Sequence, residues 1–476
     1  MKVNSIPLSC IRAMLILSYS FYILGCDSDD PSPTMAGEMM AGDMVAGEMM
    51  AGDMMAGEVM AGDMVAGDMV AGDMMAGDMM AGDMMAGDMM TGPICRGGQN
   101  YGYTEDFSTL SLSGAGPFTA PQMVELSDGT WMISWLTAID ESPSDINYLH
   151  LQHLDADFQA QGEAVQVARA KGGQYKLHGT SNGVVLVWVN QRSELLNNEG
   201  VYLQTFDEMG VAQNEPLGVN QSFNVTSIHS AWADGFGGIL VMSEAQKISA
   251  ITFNQMGLAS APEVLAQSNN RSPVVAFTGG GWSVAWLTRP SADSREYDIS
   301  VATLNDQGEA ISEVRTFSEV KASGKLSLAY GNGIYSMAWT FPDPTSLDPL
   351  PRQIIGMRLL DETLNEIGRF FVMDGTTDLT LHEVSWVPPS LFAISWSQSP
   401  LGGAESILGV SRINQLGQVL PSVIVNHEEH LYTELSLRGN ASALRALFTA
   451  DLNPQPTGLF SSETVVMTAP IAPCEE

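Results

Sequence analysis

The segment Trp131-Met132-Ile133-Ser134-Trp135 places apolar side chains at alternate positions, and this pattern recurs along the chain. A period of two is typical of a β-strand, because successive side chains point to opposite faces of a sheet. The other copies are Val184–Trp188, Trp282–Trp286, Tyr335–Trp339 and Phe392–Trp396, with two weaker copies at Ile239–Ser243 and Leu444–Phe448. Their last residues are 43 to 57 positions apart, which predicts one repeated structural unit per copy.

A second motif follows each of the first six copies and ends in Asp or Asn after three spaced apolar residues. These polar residues are Asp155, Asp207, Asn254, Asn305, Asp361 and Asn414. Four of them are followed three positions later by glycine, at Gly210, Gly257, Gly308 and Gly417. Because Gly, Asn and Asp favour tight turns, the motif predicts a strand that turns directly into another strand.

Each unit therefore offers about four strands, and long helical periodicity is absent. Seven such units predict an all-β fold, a seven-bladed β-propeller, in which radial closure leaves only short edges. Two packed sheets are the alternative, but they do not explain seven equivalent units. We expect the ring to close where Asp106–Leu112 pairs beside Thr464–Met467 in the last blade. No blade motif in the sequence assigns the repeat to a named propeller family.

The first residues combine Lys2 and Arg12 with the apolar segment Ala13–Leu24, which is too short to span a bilayer and is typical of a secretory signal. This segment ends in Ile23-Leu24-Gly25-Cys26, which resembles the lipobox of bacterial lipoproteins, where cleavage precedes a diacylated cysteine. The resemblance implies a signal peptide at residues 1–25, lipidation of Cys26, and anchoring in the bacterial cell envelope, at the outer membrane or cell surface. The alternative is an ordinary signal cleaved elsewhere, or an uncleaved anchor.

Residues 26–94 form a low-complexity segment, in which Ala-Gly-(Asp/Glu)-Met-(Met/Val) repeats eleven times between Ala36 and Met90. A five-residue period cannot keep the methionines on one helical face, and a glycine in every unit weakens any helix. One carboxylate per unit opposes collapse, so we expect a disordered tether that holds a propeller domain at residues 95–476 away from the membrane. Paired methionines could also bind Cu(I), since soft sulfur ligands select soft metals.

The formal charge is −35, from 55 acidic and 20 basic residues. Such a field repels nucleic acid and anionic headgroups, so we expect no nucleic-acid partner and membrane contact through the lipid anchor only. Of four cysteines, the lipobox resemblance implies that Cys10 leaves with the signal and that Cys26 carries lipid. Cys95 and Cys474 flank the folded region, and export to an oxidising compartment predicts a disulfide between them. Two unpaired thiols are the alternative.

Long segments separate the aromatic strands from the strands that follow, and variable loops on a rigid scaffold are where binding residues concentrate. They are Ala138–Asp145, Gln191–Gly200, Thr288–Asp298, Phe341–Arg352 and Ser397–Ser406. The segment Ser127–Trp131 partly resembles the Asp-box of sialidase-like propellers but does not recur. On a strand, a three-residue step places His150 and His153 on opposite faces, so we do not expect them to share a metal. His427 and His430 lie three positions apart, whereas the helical zinc signature His-Glu-x-x-His places its histidines four apart.

No catalytic, cofactor-binding or metal-binding motif is found in the sequence, and we expect no cofactor. The pattern favours a monomeric, membrane-anchored binding or scaffold module that recognises a protein or glycan through one propeller face. The alternative is an extracytoplasmic hydrolase or lyase whose acidic residues meet only in the folded chain.

Overall fold

The computed structural model describes residues 101–103, 108–110, 112, 120–138, 146–190, 199–222, 224–267, 269–291, 293–343, 352–372, 378–399, 407–425, 431–438, 444–451 and 464–471. The chain divides into two units, Met1–Met89 and Met90–Glu476, and every described residue belongs to the second. The predicted signal peptide, the lipidation site Cys26 and the tether lie outside the described residues. Among those described, no helix is long and apolar enough to cross a membrane.

All of the regular structure in the described residues is β-strand, which confirms the all-β prediction. The strands are β1 (Tyr101–Tyr103), β2 (Ser108–Leu110), β3 (Gln122–Glu125), β4 (Trp131–Ala138), β5 (Ile146–Leu154), β6 (Ala160–Thr180), β7 (Gly183–Asn190), β8 (Gly200–Phe206), β9 (Leu217–Asn220), β10 (Val225–Ala233), β11 (Gly237–Glu244), β12 (Lys247–Phe253), β13 (Glu263–Ala266), β14 (Asn270–Phe277), β15 (Trp282–Thr288), β16 (Tyr297–Leu304), β17 (Arg315–Ala322), β18 (Leu326–Gly331), β19 (Ile334–Pro342), β20 (Gln353–Asp361), β21 (Glu366–Val372), β22 (Asp378–Val387), β23 (Leu391–Ser399), β24 (Ile407–Asn414), β25 (Val419–Val425), β26 (Leu431–Arg438), β27 (Arg445–Asp451) and β28 (Thr464–Pro470).

The described strands form six sheets, in which antiparallel strands follow one another in chain order, except that β1 and β2 join the sheets of later strands. Three sheets contain four strands each: β10 to β13, β14 to β17, and β18 to β21. A fourth contains β22 to β25, with β1 added in parallel beside β25, and a fifth contains β26 to β28 with β2. The sixth has seven strands, β3 to β9, because the 21-residue strand β6 pairs with β5 along its first half and with β7 along its second half.

The first strand of each meander contacts the first strand of the next. Contacts run from β3 to β6, β10, β14, β18, β22 and β26, and β26 in turn contacts β3. We call these the inner strands. Neighbouring sheets pack face to face around them, so the sheets are arranged like the blades of a propeller.

The aromatic pattern forms the second strand of each sheet and supplies much of the core. Trp135, Trp188 and Trp286 are at most 2% exposed. The indole nitrogen of Trp286 donates a hydrogen bond to Asn270 Oδ1 at 3.1 Å. Burying a large side chain of this kind stabilises the fold by roughly 1.5–3 kcal/mol, and a satisfied polar edge avoids an offsetting penalty.

The Asp/Asn motif forms the turn between the third and fourth strands. Asp207 Oδ1 accepts hydrogen bonds from the amide nitrogens of Met209 at 3.0 Å and Val211 at 2.8 Å. The same pair of bonds, to the residues two and four positions later, recurs at Asp155, Asn254, Asp361 and Asn414. Gly210 in the Asp207 turn has a φ of 78°, which explains why glycine occupies this position. The motif is therefore a turn signal.

The expected closing strand is present. β2 pairs antiparallel with β28, with Ser108 opposite Thr468 and Leu110 opposite Val466. The last sheet is thus completed by a segment that precedes the first, which confirms the pairing expected from the sequence. Cys95 and Cys474 lie outside the described residues, so their predicted disulfide stays a prediction.

Candidate functional site

A cavity of about 520 Å³ lies between the inner strands and is lined by β3, β6, β10, β14, β18 and β22. We call it the central cavity. Most of these strands contribute residues from their C-terminal half, as with His229–Trp232 of β10 and Val275–Phe277 of β14. It therefore lies toward the short turns that join first and second strands, away from the strand ends that flank the long loops favoured by the sequence.

Four aromatic side chains line the central cavity near the ends of four successive inner strands. They are Trp232, Phe277, Tyr330 and Trp386. All four are half-buried. Each packs against another ring of its own sheet, with centroids 4.8 to 5.9 Å apart, in the pairs Trp232–Phe253, Phe277–Trp282, Tyr330–Tyr335 and Trp386–Phe392. These contacts hold the rings in place while part of each remains exposed.

Hydrogen-bonding groups alternate with the aromatic residues on the cavity wall. His178 Nε2 lies 2.7 Å from Ser230 Oγ on the neighbouring inner strand. His229 Nδ1 accepts a hydrogen bond from the Val275 amide at 3.3 Å, so its Nε2 carries the proton of the neutral ring. Both histidines are thereby oriented by the adjacent blade.

Tyr330 is a hydrogen-bond donor at the edge of the cavity. Its hydroxyl donates to Glu362 Oε1 at 3.0 Å. Burial, together with this hydrogen bond, raises the pKa of Tyr330 to about 12, so the phenol keeps its proton at neutral pH.

Glu383 is the only carboxylate among the described residues that line the central cavity. It follows a register shift between Leu381 and Glu383 in β22, and its Oε1 accepts a hydrogen bond from the Leu437 amide of the next inner strand. Glycoside hydrolysis ordinarily needs two carboxyl groups that flank the scissile bond. Among the described residues, the lining of the central cavity supplies one such group.

Two carboxyl groups with shifted pKa values lie near each other elsewhere. Burial, and then the charge of Glu319, raise the pKa of Asp298. Hydrogen bonding to Arg358 contributes to lowering the pKa of Glu319, against the opposing effect of burial. Neither lines the central cavity, and the Glu319–Arg358 ion pair, at 2.6 Å, joins two adjacent sheets. We interpret this pair as structural.

The residues that the sequence singled out have local partners. His150 Nε2 lies 2.9 Å from Thr137 Oγ1, and His153 Nε2 lies 2.8 Å from Thr130 Oγ1, so the two imidazoles make separate contacts. Asp128, in the segment resembling an Asp-box, accepts hydrogen bonds from the amide and hydroxyl of Thr130 in the turn before β4. His427 and His430 lie outside the described residues.

Of the five predicted loops, four lie mostly outside the described residues; the fifth, Thr288–Asp298, contributes Arg289 and Tyr297 to a smaller pocket near the N-terminal ends of the inner strands. The aromatic residues of the central cavity were missed, although a signal was present. Each lies four or five residues before the first residue of the following strand. This second aromatic recurrence could have identified them.

Comparison with known proteins gives no family assignment. No protein-family model and no curated protein matches the chain. Similar solved structures include the GH93 α-L-arabinofuranosidase of Fusarium graminearum, at 11% identity over 78% of this chain and 98% of that chain, with a TM-score of 0.43. Polysaccharide lyase Uly1 is 7% identical over 77% and 92%, with a TM-score of 0.49. An α-L-arabinanase of Penicillium chrysogenum is 11% identical over 76% and 96%, with a TM-score of 0.40. At these TM-scores, the likenesses assign neither a family nor a function to the chain.

Proposed function

We propose that this chain is a lipid-anchored binding module of the bacterial cell envelope, and that its propeller binds a glycan in the central cavity. Lipidation at Cys26 is supported by the lipobox resemblance, and the repeat of residues 26–94 is suited to a spacer. Incorporation of labelled fatty acid into the wild-type protein and its loss in Cys26→Ser would support the anchor. Incorporation that persists in the variant would refute it.

The observation that carries the proposal is the composition of the cavity wall. Four half-buried aromatic rings alternate with His178, His229 and Glu383. A saccharide offers C–H faces that pack on aromatic rings and hydroxyls that need donors and acceptors, and this wall supplies both. The volume of about 520 Å³ falls in the roughly 300–1,000 Å³ range typical of small-molecule sites.

We further propose that the ring has seven blades. The support is the contact order of the inner strands, in which β3, β6, β10, β14, β18, β22 and β26 follow one another and β26 returns to β3. The seven-stranded sheet counts as two blades in this reading, because β6 serves as the last strand of one meander and the first of the next.

The acidic charge of −35 supports a ligand other than nucleic acid, and membrane contact through the lipid alone. We propose a monomer, since a propeller leaves only short, protected sheet edges, which do not require a second copy.

The full-length protein should be screened against a glycan array, and the best ligand titrated by calorimetry. Phe277→Ala removes a ring from the central cavity, whereas Phe371→Ala removes a 51% exposed ring outside it. We expect Phe277→Ala to weaken binding roughly tenfold, equivalent to about 1.4 kcal/mol, and Phe371→Ala to leave it unchanged. Equal effects, or an array without a hit, would refute glycan binding in the cavity.

Catalysis is the second candidate, because Glu383 and His178 are groups that can transfer protons. The glycan that binds should be incubated with the protein and checked for new reducing ends or unsaturated products. Turnover that is lost in Glu383→Gln, with binding retained, would favour a hydrolase or lyase.

A further inference from the structure

A second pocket forms where β14 and β15 bring two distant arginines together. Antiparallel pairing places Asn270 opposite Thr288 and Arg271 opposite Leu287, so Arg271 and Arg289 lie at the same end of the sheet. A register shift follows Arg271, where Ser272 has a φ of 51°. Such a bulge bends the strand and re-aims the preceding side chain.

The pocket has a volume of about 230 Å³. We call it the arginine pocket. It is lined by Gln246, Asn269, Asn270, Arg271, Arg289 and Tyr297. It lies near the N-terminal ends of the inner strands, whereas the central cavity lies toward their C-terminal ends.

Tyr297 organises both guanidinium groups. The Arg271 guanidinium carbon lies 3.7 Å from the centre of the Tyr297 ring, and Arg289 Nη2 donates a hydrogen bond to the Tyr297 hydroxyl at 2.7 Å. Tyr297 is only 5% exposed, so it is a fixed platform. Two planar cations are thus held against one buried ring.

The backbone around the pocket is strained. Nine non-glycine residues in the described part of the chain have a positive φ; Ala245 and Gln246 form the two-residue turn between β11 and β12, where this conformation is ordinary, whereas Asn269 and Ser272 adjoin the arginine pocket outside such a turn. Strained residues of this kind concentrate at binding and active sites.

The charge of the pocket is unusual for a chain with a net charge of −35, because no acidic side chain lines it. Elsewhere in the described residues, Arg352 and Arg358 pair with carboxylates at 2.5 and 2.6 Å. Arg271 Nη2 donates a hydrogen bond to the Ser323 carbonyl oxygen at 3.4 Å, but Arg271 forms no ion pair among those residues, and its buried Nε has no hydrogen-bond partner. Two acidic residues flank Tyr297: Asp298 follows it in β16 and points to the opposite face of the strand, and Glu296 precedes it and pairs with Lys321 at 3.8 Å.

We propose that the arginine pocket binds the carboxylate of an acidic sugar, as a site separate from the central cavity. The planar guanidinium fork matches a carboxylate with two parallel hydrogen bonds. The amide side chains of Gln246 and Asn269 are exposed beside it and suit sugar hydroxyls. No aliphatic side chain lines the pocket, which disfavours a peptide C-terminus, since that would also have to place its last side chain there. The small volume fits one sugar residue.

The test is a titration of the full-length protein with galacturonate, in which binding is measured by calorimetry or NMR. Galactose is the neutral counterpart, acetate and sulfate are simple anions, and a short peptide with a free C-terminus offers the other carboxylate source. We expect saturable binding of galacturonate, weaker binding of every other probe, and loss of affinity as salt is added.

Arg271→Gln should weaken galacturonate binding about tenfold or more, because a charge-assisted pair is lost. Arg315→Gln is the matched control: it removes the same charge in the same sheet, from an arginine that also lies over an aromatic ring, Phe317, at 5.2 Å. We expect it to change affinity less than twofold. Thermal melting of both variants would show whether either has lost its fold.

The proposal is overturned if galacturonate does not bind, if sulfate, acetate or the peptide binds as tightly, or if both variants have the same effect. The tests of the two proposed sites can be distinguished, because each substitution should affect the binding of only one ligand. Binding of a neutral glycan should survive Arg271→Gln, and binding of galacturonate should survive Phe277→Ala.

Discussion

Gly331→Ala is expected to destabilise the ring and disturb the central cavity at once. A Cβ added at Gly331, the last residue of β18, would lie 2.0 Å from Cδ2 and 2.3 Å from Cε2 of Trp386 on the next inner strand. Favourable carbon contacts are at about 3.5–4.0 Å, so the indole has to move by about 1.5 Å or more. Its packing against Phe392, at 4.9 Å between centroids, opposes that movement.

Overpacking of this kind costs about 1–3 kcal/mol. The free energy of unfolding should be measured by denaturant titration, and affinity for the array-selected glycan by calorimetry. Gly280→Ala is the control, because its added Cβ would meet nothing within 4 Å. We expect that control to stay within about 0.5 kcal/mol of the wild type.

The close approach itself can be tested in a double-mutant cycle. In a Trp386→Ala background the clash is absent, so Gly331→Ala should cost little, and the two substitutions should couple by about 1 kcal/mol or more. Additive effects, or a Gly331→Ala protein as stable as the wild type with unchanged glycan affinity, would refute the reasoning.

Three further outcomes follow from charge and covalent structure. Glu366→Gln should destabilise the protein by about 1–3 kcal/mol, because it removes the carboxylate whose Oε2 lies 3.2 Å from Nε of the 2% exposed Arg358. Arg358→Met should cost less than about 1 kcal/mol, because it removes the buried charge itself. Denaturant titration would compare the two unfolding free energies. Hydrogen bonding from Thr363 lowers the pKa of Asp361 from its ordinary value of 3.8. The stabilising effect of ionised Asp361 should therefore be complete above pH 3.8 and lost as the pH falls through the lowered pKa. Asp361→Asn should flatten this part of a curve of unfolding free energy against pH. Cys474→Ser should lower the unfolding free energy by about 2–5 kcal/mol under oxidising conditions and leave it unchanged under reducing conditions, if the predicted disulfide forms.

The strands could be predicted from the sequence because their signals are local. The alternation in Trp131–Trp135 and its copies reports the two faces of a buried strand, and Asp207 with Gly210 reports a turn within four residues. The closing strand β2 was predictable for a different reason: a ring of repeated units must be completed by its ends. The added strand β1 was not predicted, since three residues that extend a sheet edge in parallel leave no periodic pattern.

The candidate sites were less accessible to sequence reasoning. Loop Thr288–Asp298, which the sequence favoured as a binding loop, contributes to a pocket, but Arg271 lies on another strand, and only the β14–β15 pairing brings it beside Arg289. The central cavity depends on six inner strands that meet across the ring, and residues such as Trp386 and His178 are far apart in sequence. Their convergence is a property of the closed fold.

The first two strands, β1 and β2, determine which part of the propeller would first carry a force applied through an N-terminal tether. β1 lies along β25 before β2 reaches β28, so tension applied from the N-terminal side meets β1 first. A parallel pair pulled along its length must break its backbone hydrogen bonds together, whereas one pulled across its length can open one bond at a time. In the anchored protein we propose, tension along the strands would therefore load all the hydrogen bonds of the β1–β25 pair at once, so that β1 would resist the tension before it reaches the closing strand β2.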